Sequence, residues 1–228
     1  MTAESALRFG IVVSTAGSVM NEVLKNEFFR SRVQLVVVDR HGPAYEKALD
    51  HGLPAKVVSE PHADRFCDEL LALFRAYAID YVFSFYTEFF SADFRKEFED
   101  RILNFHPSLL PSFKGADGFG DTLAYHSRFA GNTVELIADV MDEGKIVMQT
   151  VCAVDTGVPA EMTRHTVFVH QCRALLQSAR WLQEGRITVD GHQVTVAGAR
   201  FDDGPFSPAL DCPEVMAWEP PDPFADLR

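Results

Sequence analysis

The sequence predicts an α/β fold in which a Rossmann-like, mostly parallel twisted sheet is flanked by helices and followed by C-terminal β-hairpins. Through the first 106 residues, short apolar runs alternate with longer segments of helical period, and this alternation is typical of βαβ units. The apolar runs are nearly continuous, which indicates strands that are buried on both faces. After residue 106 this alternation stops, and the pattern changes to paired strands around one long helix.

The first half is predicted to contain five strands and four helices. The strand segments are rich in β-branched and aromatic residues, and they are 8–14, 33–38, 55–59, 80–85 and 101–106. The helical segments that separate them are 18–29, 42–52, 61–77 and 91–100. Apolar residues of the third helix fall on one side, so we expect that side to pack against the sheet.

The next segments predict a loop, a helix and a hairpin. Residues 115–131 have the pattern of a loop that enters a helix. The apolar segments 132–140 and 145–154 flank "MDEG" and predict a β-hairpin with Asp142 in its turn region.

A long helix and a second hairpin complete the predicted elements. The helix covers about 161–184 and ends at Gly185. The segment 186–196 predicts the hairpin, with Asp190 and Gly191 as its turn. From residue 202 onward Pro, Asp and Gly dominate, and we expect an irregular, partly disordered tail.

Composition excludes several classes of function. The 228 residues carry a formal net charge of -12 and no block of Lys and Arg, so we expect no nucleic-acid partner and no membrane partner. The four cysteines are far apart and without a C-x-x-C pair, and the eight histidines form no H-E-x-x-H pattern. We therefore expect reduced thiols and no metal. There is no signal-peptide pattern and no apolar run near 18 residues, which favours a cytoplasmic protein.

Ligands of open α/β sheets bind beyond the carboxyl ends of the strands, and two loops of this sequence fall there. The loop "STAGSVMNE", residues 14–22, either holds a phosphate or carboxylate on its backbone N–H groups or is a plain strand-to-helix turn. The aromatic stretch "FYTEFF", residues 85–90, suits a flat ring ligand or simply packs in the core.

The stretch "NFHPSLLP", residues 104–111, ends the fifth predicted strand. Residues two apart on a strand share a face, so Asn104 and His106 point the same way. An amide can donate to a carbonyl oxygen that gains negative charge, and an imidazole can move a proton near neutral pH. A strand-end histidine can also be purely structural, and whether the Leu110–Pro111 bond is cis is left open.

The wider pattern resembles the formyltetrahydrofolate-dependent formyltransferases, and within them the glycinamide ribonucleotide transformylases. It consists of Asn-x-His-Pro-Ser-Leu-Leu-Pro, Gly115, Gly-x-Thr-Val at 131–134, and Asp142 in "MDEGKIVMQ". The similarity covers about residues 8–197. Residues 1–200 would then form the formyltransferase domain, and 201–228 an irregular Pro/Asp-rich extension.

The resemblance implies a formyl donor, N10-formyltetrahydrofolate, and roles for three catalytic residues. Asn104 would polarise the formyl carbonyl and stabilise the oxyanion. His106 would assist proton transfer, and Asp142 would position His106 or a water that relays the proton. The resemblance also implies that the pterin ring is held largely by backbone contacts, at Glu88, Phe89, Phe90, Leu103, Ala138, Asp139, Val140 and Met141.

The acceptor side departs from the pattern of glycinamide ribonucleotide transformylases. Gly17, Ser18 and Val19 stand where those enzymes have Gly-Ser-Asn, and Asp117 and Glu135 stand at histidine positions of their ribonucleotide pocket. A carboxylate about 4 Å from a phosphate would add a repulsive energy on the order of several kcal/mol at an effective dielectric near 20.

We therefore expect a small-molecule amine other than glycinamide ribonucleotide as the acceptor. Glu88, at an arginine position near the folate site, is a further departure. Four alternatives stay open: glycinamide ribonucleotide itself, a formyltetrahydrofolate hydrolase, a non-catalytic folate binder, and an arrangement in which Asp117 and Glu135 only face solvent or pair with Arg128. The oligomeric state cannot be read from the sequence.

Overall fold

The computed structural model describes residues 6–225. It divides into two compact units. Unit 1 comprises Met1–Asn104 and Leu136–Met141, and unit 2 comprises Phe105–Glu135 and Asp142–Arg228.

Unit 1 is built from alternating strands and helices. Its strands are all parallel and stand in the order β3-β2-β1-β4-β5. The last strand, β5, ends with two residues that belong to unit 2. The elements are β1 (Phe9–Val13), α1 (Ser18–Val23), α2 (Glu27–Arg30), β2 (Val33–Val38), α3 (Pro43–Asp50), β3 (Ala55–Val57), α4 (Ala63–Ala76), β4 (Tyr81–Phe85), α5 (Ala92–Glu97) and β5 (Ile102–His106).

The core of unit 1 explains why these segments form strands. All five residues of β1 are buried, as are five of the six residues of β2, because helices cover both faces of a parallel sheet. Helix α4 buries Phe66, Leu70 and Phe74 on one side, the amphipathic pattern that the sequence predicts. These side chains pack in one apolar cluster with Phe94 and Phe98.

Unit 2 contains the second half of the chain. Strand β7 lies between β6 and β10, and β8 pairs antiparallel with β9 in a separate two-stranded sheet. Its elements are α6 (Gly118–Ala124), β6 (Phe129–Leu136), β7 (Lys145–Ala153), α7 (Ala160–Gln183), β8 (Ile187–Asp190), β9 (Gln193–Val196), β10 (Phe206–Ser207) and α8 (Pro213–Ala217).

The segment after residue 200, which the sequence predicts to be irregular, contains two short elements. Strand β10 pairs antiparallel with β7, and α8 follows it. Asp211 fixes this segment, because its carboxylate accepts hydrogen bonds from Gln177 and Trp181 of α7 at 2.8 and 3.0 Å and from Arg186 at 2.6 Å. Residues 226–228 lie outside the described residues, and the boundary between a domain and an extension at residue 200 stays a prediction.

Two smaller expectations also differ from the structure. The predicted helix 18–29 is two short helices, because the Asn26 side chain accepts the N–H of Phe29 and begins a new helix there. The turn of the second hairpin is shifted by one residue. Asp190 still pairs with Gln193, so the loop begins at Gly191, which has the positive φ of 58° that favours glycine.

The predicted fold class is confirmed: the sheet is mixed but mostly parallel, helices flank it, and the C-terminal hairpin is present. Among the described residues, no helix is both long enough and apolar enough to cross a membrane.

Candidate active site

The site begins at the end of strand β5. Leu103 and Phe105 are buried at 0% and 5% exposure, while Asn104 is half-buried and pairs in register with Ser84 of β4. His106 follows two positions after Asn104 on the same strand, so the two-residue period of a strand gives both side chains the same direction.

His106 is almost fully enclosed by unit 2. Its side chain is 6% exposed. The Nε2 atom lies 2.8 Å from the backbone oxygen of Phe113, and Nδ1 lies 3.6 Å from Oδ1 of Asp142. A carbonyl and an ionised carboxylate only accept hydrogen bonds. The Nε2 atom therefore donates to the Phe113 oxygen, and Nδ1 faces the Asp142 carboxylate just beyond hydrogen-bond distance.

Asp142 is held as firmly as His106. Its side chain is 7% exposed, and its Oδ2 atom accepts the N–H of Gly115 at 2.7 Å. Its backbone has φ 55°, a left-handed conformation that is uncommon for residues other than glycine and that clusters at functional sites. The structure thus brings Asp142 and His106 together, as the sequence predicts.

The loop after β5 is held by two polar side chains of β6 and β7. Thr133 Oγ1 donates to the backbone oxygen of Ser108 and accepts the N–H of Leu110, at 2.8 and 3.1 Å. Gln149 Nε2 donates to the backbone oxygen of Leu110 at 2.9 Å. The Leu110–Pro111 bond is cis. These contacts give a physical role to the Thr of Gly-x-Thr-Val and the Gln of "IVMQ".

Three further residues around His106 were missed by sequence reasoning. Phe113 supplies the carbonyl that meets Nε2 and has φ 56°, and Ser108 Oγ donates to the backbone oxygen of Ser112 at 2.7 Å. At Gly118, a Cβ atom would lie 2.7 Å from Nε2 of His106 and 2.9 Å from the oxygen of Phe113. Only the three glycines of "GADGFG" gave a signal in the sequence, because backbone conformation and carbonyl direction leave none.

The segment Glu88 to Phe90, a predicted part of the pterin pocket, follows β4 in unit 1. Phe90 is 1% exposed and its ring packs 4.8 Å from that of Phe94 and 4.9 Å from that of Tyr86, so it belongs to the core. Phe89 is half-buried and Glu88 is exposed. Among residues 6–225, the backbone N–H groups of 88–90 donate to no protein acceptor.

The second predicted pterin segment, 138–141, also belongs to unit 1. Val140 and Met141 expose 53% and 43% of their surface. The backbone groups of 138–141 have no hydrogen-bond partner in the described part of the chain. Leu103, by contrast, lies buried within β5. Both segments therefore offer backbone groups to a ligand, whereas Leu103 offers only an apolar side chain.

Burial controls the ionisation of two groups near the first segment. Burial raises the pKa of Tyr86, and it also raises the pKa of the Cys67 thiol, whose sulfur accepts the N–H of Ser91. Both groups are therefore neutral near pH 7. All four cysteines are free thiols, and within the described residues no three His, Cys, Asp or Glu side chains are grouped to hold a metal ion.

The predicted acceptor loop of unit 1 is a tight turn into α1. Gly17 has φ 68°, and a Cβ atom there would lie 2.9 Å from that of Ala44, so glycine is required. Ser18 is exposed and Val19 is half-buried. Lys47 donates to the backbone oxygen of Ala16 at 2.8 Å, which places a cation at this loop.

The two predicted acceptor carboxylates of unit 2 have local partners. Asp117 is the N-cap of α6, where its Oδ1 atom accepts the N–H of Gly120 at 3.0 Å. Glu135 is 1% exposed, and its Oε2 atom accepts the N–H of Gly144 at 2.8 Å. Asp117 thus starts a helix, and Glu135 secures the turn that carries Asp142.

Comparison with known proteins agrees with this arrangement. The profile of the family described as "Formyl transferase" matches residues 8–176. A phosphoribosylglycinamide formyltransferase of Mycobacterium tuberculosis is 30% identical over 195 residues, which are 83% of this chain and 91% of the relative. A formyltetrahydrofolate deformylase of Corynebacterium is 28% identical over 146 residues, 64% of this chain and 50% of the relative.

Solved structures show the same similarity. Glycinamide ribonucleotide transformylase 1 of Symbiobacterium toebii superposes with a TM-score of 0.78 at 28% identity and covers 83% of this chain and 93% of its own. The resemblance expected from the sequence motif is confirmed, and the chain belongs to the formyl transferase family.

Proposed function

We propose that this protein transfers a formyl group from N10-formyltetrahydrofolate to the amine of a small molecule. The observation that carries the proposal is the enclosed pair of His106 and Asp142, 3.6 Å apart, with Asn104 two residues upstream on the same strand. Membership of the formyl transferase family supports it.

The side chains suit the charge changes of formyl transfer. The amine nitrogen attacks the formyl carbon, a C–N bond forms, and the carbonyl oxygen becomes an oxyanion. The Asn104 amide donates to that oxygen and stabilises it. The bond from carbon to N10 then breaks. N10 takes a proton from His106, while the amine loses its proton to the ring or to a water beside Asp142.

Asp142 orients the proton donor in this proposal. Its Oδ2 atom is fixed by the N–H of Gly115 and its Oδ1 atom faces Nδ1 of His106. The Phe113 carbonyl contacts Nε2 on the other side of the ring. Both contacts therefore hold the imidazole in one orientation.

The formyl donor is assigned to unit 1. The backbone N–H groups at Glu88, Phe89 and Phe90 and the backbone groups of 138–141 suit the amide-like edge of a pterin ring, and Phe89 supplies an aromatic face.

Phosphoribosylglycinamide is the acceptor that we propose first. The argument against it placed Asp117 and Glu135 beside its phosphate, but those carboxylates cap α6 and bind the turn at Gly144. Lys47 at the loop before Gly17 favours an anionic acceptor over a cationic one. Two relatives that match most of this chain are named for activity on this acceptor. The expectation of a different acceptor therefore loses its support.

A second candidate is hydrolysis of formyltetrahydrofolate, in which water replaces the amine. The similarity to a formyltetrahydrofolate deformylase favours it, although this chain spans only half of that relative. The same side chains would serve both reactions.

The deciding experiment measures tetrahydrofolate and formate separately. Purified protein is mixed with N10-formyltetrahydrofolate and with phosphoribosylglycinamide, with glycinamide, or with no amine. We expect rapid tetrahydrofolate formation only with phosphoribosylglycinamide, and no formate. Formate release without an amine would identify a deformylase. Turnover of glycinamide as fast as that of the ribonucleotide would show that the phosphate is not recognised.

A further inference from the structure

Arg95 is a buried cation that the sequence pattern does not single out. It lies in α5, directly after the first proposed pterin segment, and only 15% of its side chain is exposed. Lys and Arg are rarely buried to this extent without partners. Its contacts therefore indicate what the side chain does.

One side of the Arg95 guanidinium holds the segment Glu88 to Phe90. Its Nη1 atom donates to the backbone oxygen of Phe90, and its central carbon lies 4.3 Å from the centre of the Phe89 ring. A guanidinium over an aromatic face is a favourable cation–π contact. The N–H of the same peptide unit, at Ser91, donates to the sulfur of Cys67 at 3.2 Å, so this peptide is fixed at both ends.

The other side of the guanidinium reaches the second proposed pterin segment. The Nη2 atom lies 3.5 Å from Oδ1 of Asp139. The Asp139 side chain is 97% exposed, and no hydrogen bond within the described residues holds the backbone of 138–141. Arg95 thus contacts both segments from one rigid group, and all of these residues belong to unit 1.

The third guanidinium nitrogen of Arg95, Nε, indicates that the contacts of the other atoms set the orientation of the side chain. The Nε atom of Arg95 is buried and has no hydrogen-bond partner among residues 6–225. The guanidinium therefore leaves one buried donor unpaired and keeps its contacts with Phe90, Phe89 and Asp139. A lysine has a single nitrogen and no flat face, so it cannot make all three contacts at once.

We propose that Arg95 is a positioning residue that joins the segments 88–90 and 138–141 and so sets the affinity for the pterin part of the folate donor. The inference rests on the proposed function. Arg95 acts through the two segments and takes no part in proton transfer. Its loss therefore weakens folate binding and leaves the chemical step nearly unchanged.

The test measures binding and turnover in three variants. Tetrahydrofolate, the product, is the binding probe, and its Kd is measured beside the folate KM and kcat. We expect Arg95→Ala to raise Kd and KM about tenfold while kcat changes less than about threefold, and Arg95→Lys to recover part of the loss. Arg75→Ala is the matched control, because Arg75 also pairs with a residue of α5, Glu97 at 2.7 Å, but is 61% exposed. It should change Kd less than about twofold.

A variant of Asp139 separates positioning from folding. Asp139→Ala removes an exposed side chain and should raise Kd about threefold. In the Arg95→Ala background the same change should have almost no further effect, because the link is already lost. If Arg95→Ala is unstable, Arg95→Lys and Asp139→Ala carry the test.

Two failures are distinguishable. Wild-type protein that binds no tetrahydrofolate and does not turn over would overturn the proposed function and the role of Arg95 with it. Wild-type protein that binds tetrahydrofolate, with Arg95→Ala and Arg95→Lys both within about twofold of its Kd, would overturn the role of Arg95 alone. So would fully additive effects of Arg95→Ala and Asp139→Ala.

Discussion

Two regions with proposed roles in one reaction are built in opposite ways. Around His106, in unit 2, each ring nitrogen and both carboxylate oxygens of Asp142 face a protein atom, and the side chains are about nine-tenths buried. In the segments 88–90 and 138–141 of unit 1, the backbone groups are largely unpaired and Arg95 supplies the link.

This difference matches the two proposed roles: proton transfer around His106, and binding of the pterin ring by the segments 88–90 and 138–141. A proton donor has to be oriented before the substrate arrives, and neighbours that cannot move supply that orientation. A site that binds a ring by its edge needs free backbone donors and acceptors instead. Substitutions around His106 should therefore reduce kcat, and substitutions in the segments of unit 1 should raise the folate KM.

The largest effect is expected for His106→Ala. Loss of the proton donor should lower kcat by about 10²–10⁴-fold, while the folate KM stays within about threefold of wild type. Steady-state kinetics at saturating acceptor measure both quantities. A kcat within about tenfold of wild type would remove His106 from the chemical step.

Asp142→Asn tests whether the region around His106 depends on the charge of Asp142, because the amide keeps the shape of the side chain but not its charge. The Nδ1 atom of His106 then faces a neutral amide instead of a carboxylate, so we expect kcat to fall at least about tenfold. The pH profile of kcat is the measurement that separates this role from a structural one. A fall in activity with an unchanged profile and a lowered melting temperature would show that Asp142 only holds the loop at Gly115.

Gly118→Ala tests the enclosure of His106 by crowding both its ring and the Phe113 carbonyl that contacts the ring. The added methyl group would lie 2.7 Å from Nε2 of His106, so the loop or the ring has to shift. We expect about a tenfold loss of kcat and about 1–3 kcal/mol of stability, by kinetics and denaturant unfolding. Gly115→Ala, where a Cβ would meet no atom within 4 Å although φ is 101°, is the comparison for backbone strain at the N–H that holds Asp142.

Phe89→Ala should affect folate binding in unit 1 and not the chemical step. It removes the aromatic face that lies under Arg95, and a cation–π contact of this kind contributes about 0.5–2 kcal/mol. We expect the folate KM to rise about three- to tenfold with kcat nearly unchanged. A fall in kcat at constant KM would contradict the division between the two regions.

The smallest effect is expected for Asp117. As an N-cap, its replacement by alanine should cost about 1 kcal/mol of stability, and Asp117→Asn should restore most of that because asparagine also caps helices. Neither change should alter kcat/KM for the acceptor by more than about threefold. A specific change in acceptor preference in Asp117→Asn would return this carboxylate to the acceptor pocket.

The contrast between the regions also explains what the sequence could and could not predict. The strands of unit 1 were readable, since continuous apolar runs are what a sheet covered on both faces requires. Asn104, His106 and Asp142 could be proposed as site residues because their side chains stand at a recognisable spacing, and the structure brings His106 and Asp142 within 3.6 Å of each other. The break between α1 and α2 at Asn26 could not be predicted, because Asn26 lies inside a continuous helical pattern and acts only through the cap it makes.

The predictions on the acceptor side rested on chain position alone. A position in a family pattern indicates where a residue stands in the chain, but not which way its side chain turns. Glu135 turns to the N–H of Gly144 and Asp117 to that of Gly120. The carbonyl of Phe113 and the unpaired nitrogen of Arg95 were equally unreadable, because both depend on packing between segments that are distant in sequence.

The most direct test of the central claim is the single-turnover rate of formyl transfer by Asn104→Ala at saturating folate and acceptor. If the end of β5 stabilises the oxyanion, the rate falls by about 10²–10³-fold while the Kd for tetrahydrofolate stays within about threefold of wild type. A rate within about tenfold of wild type would contradict the account, because the reaction would then proceed without the amide on which the proposed mechanism depends.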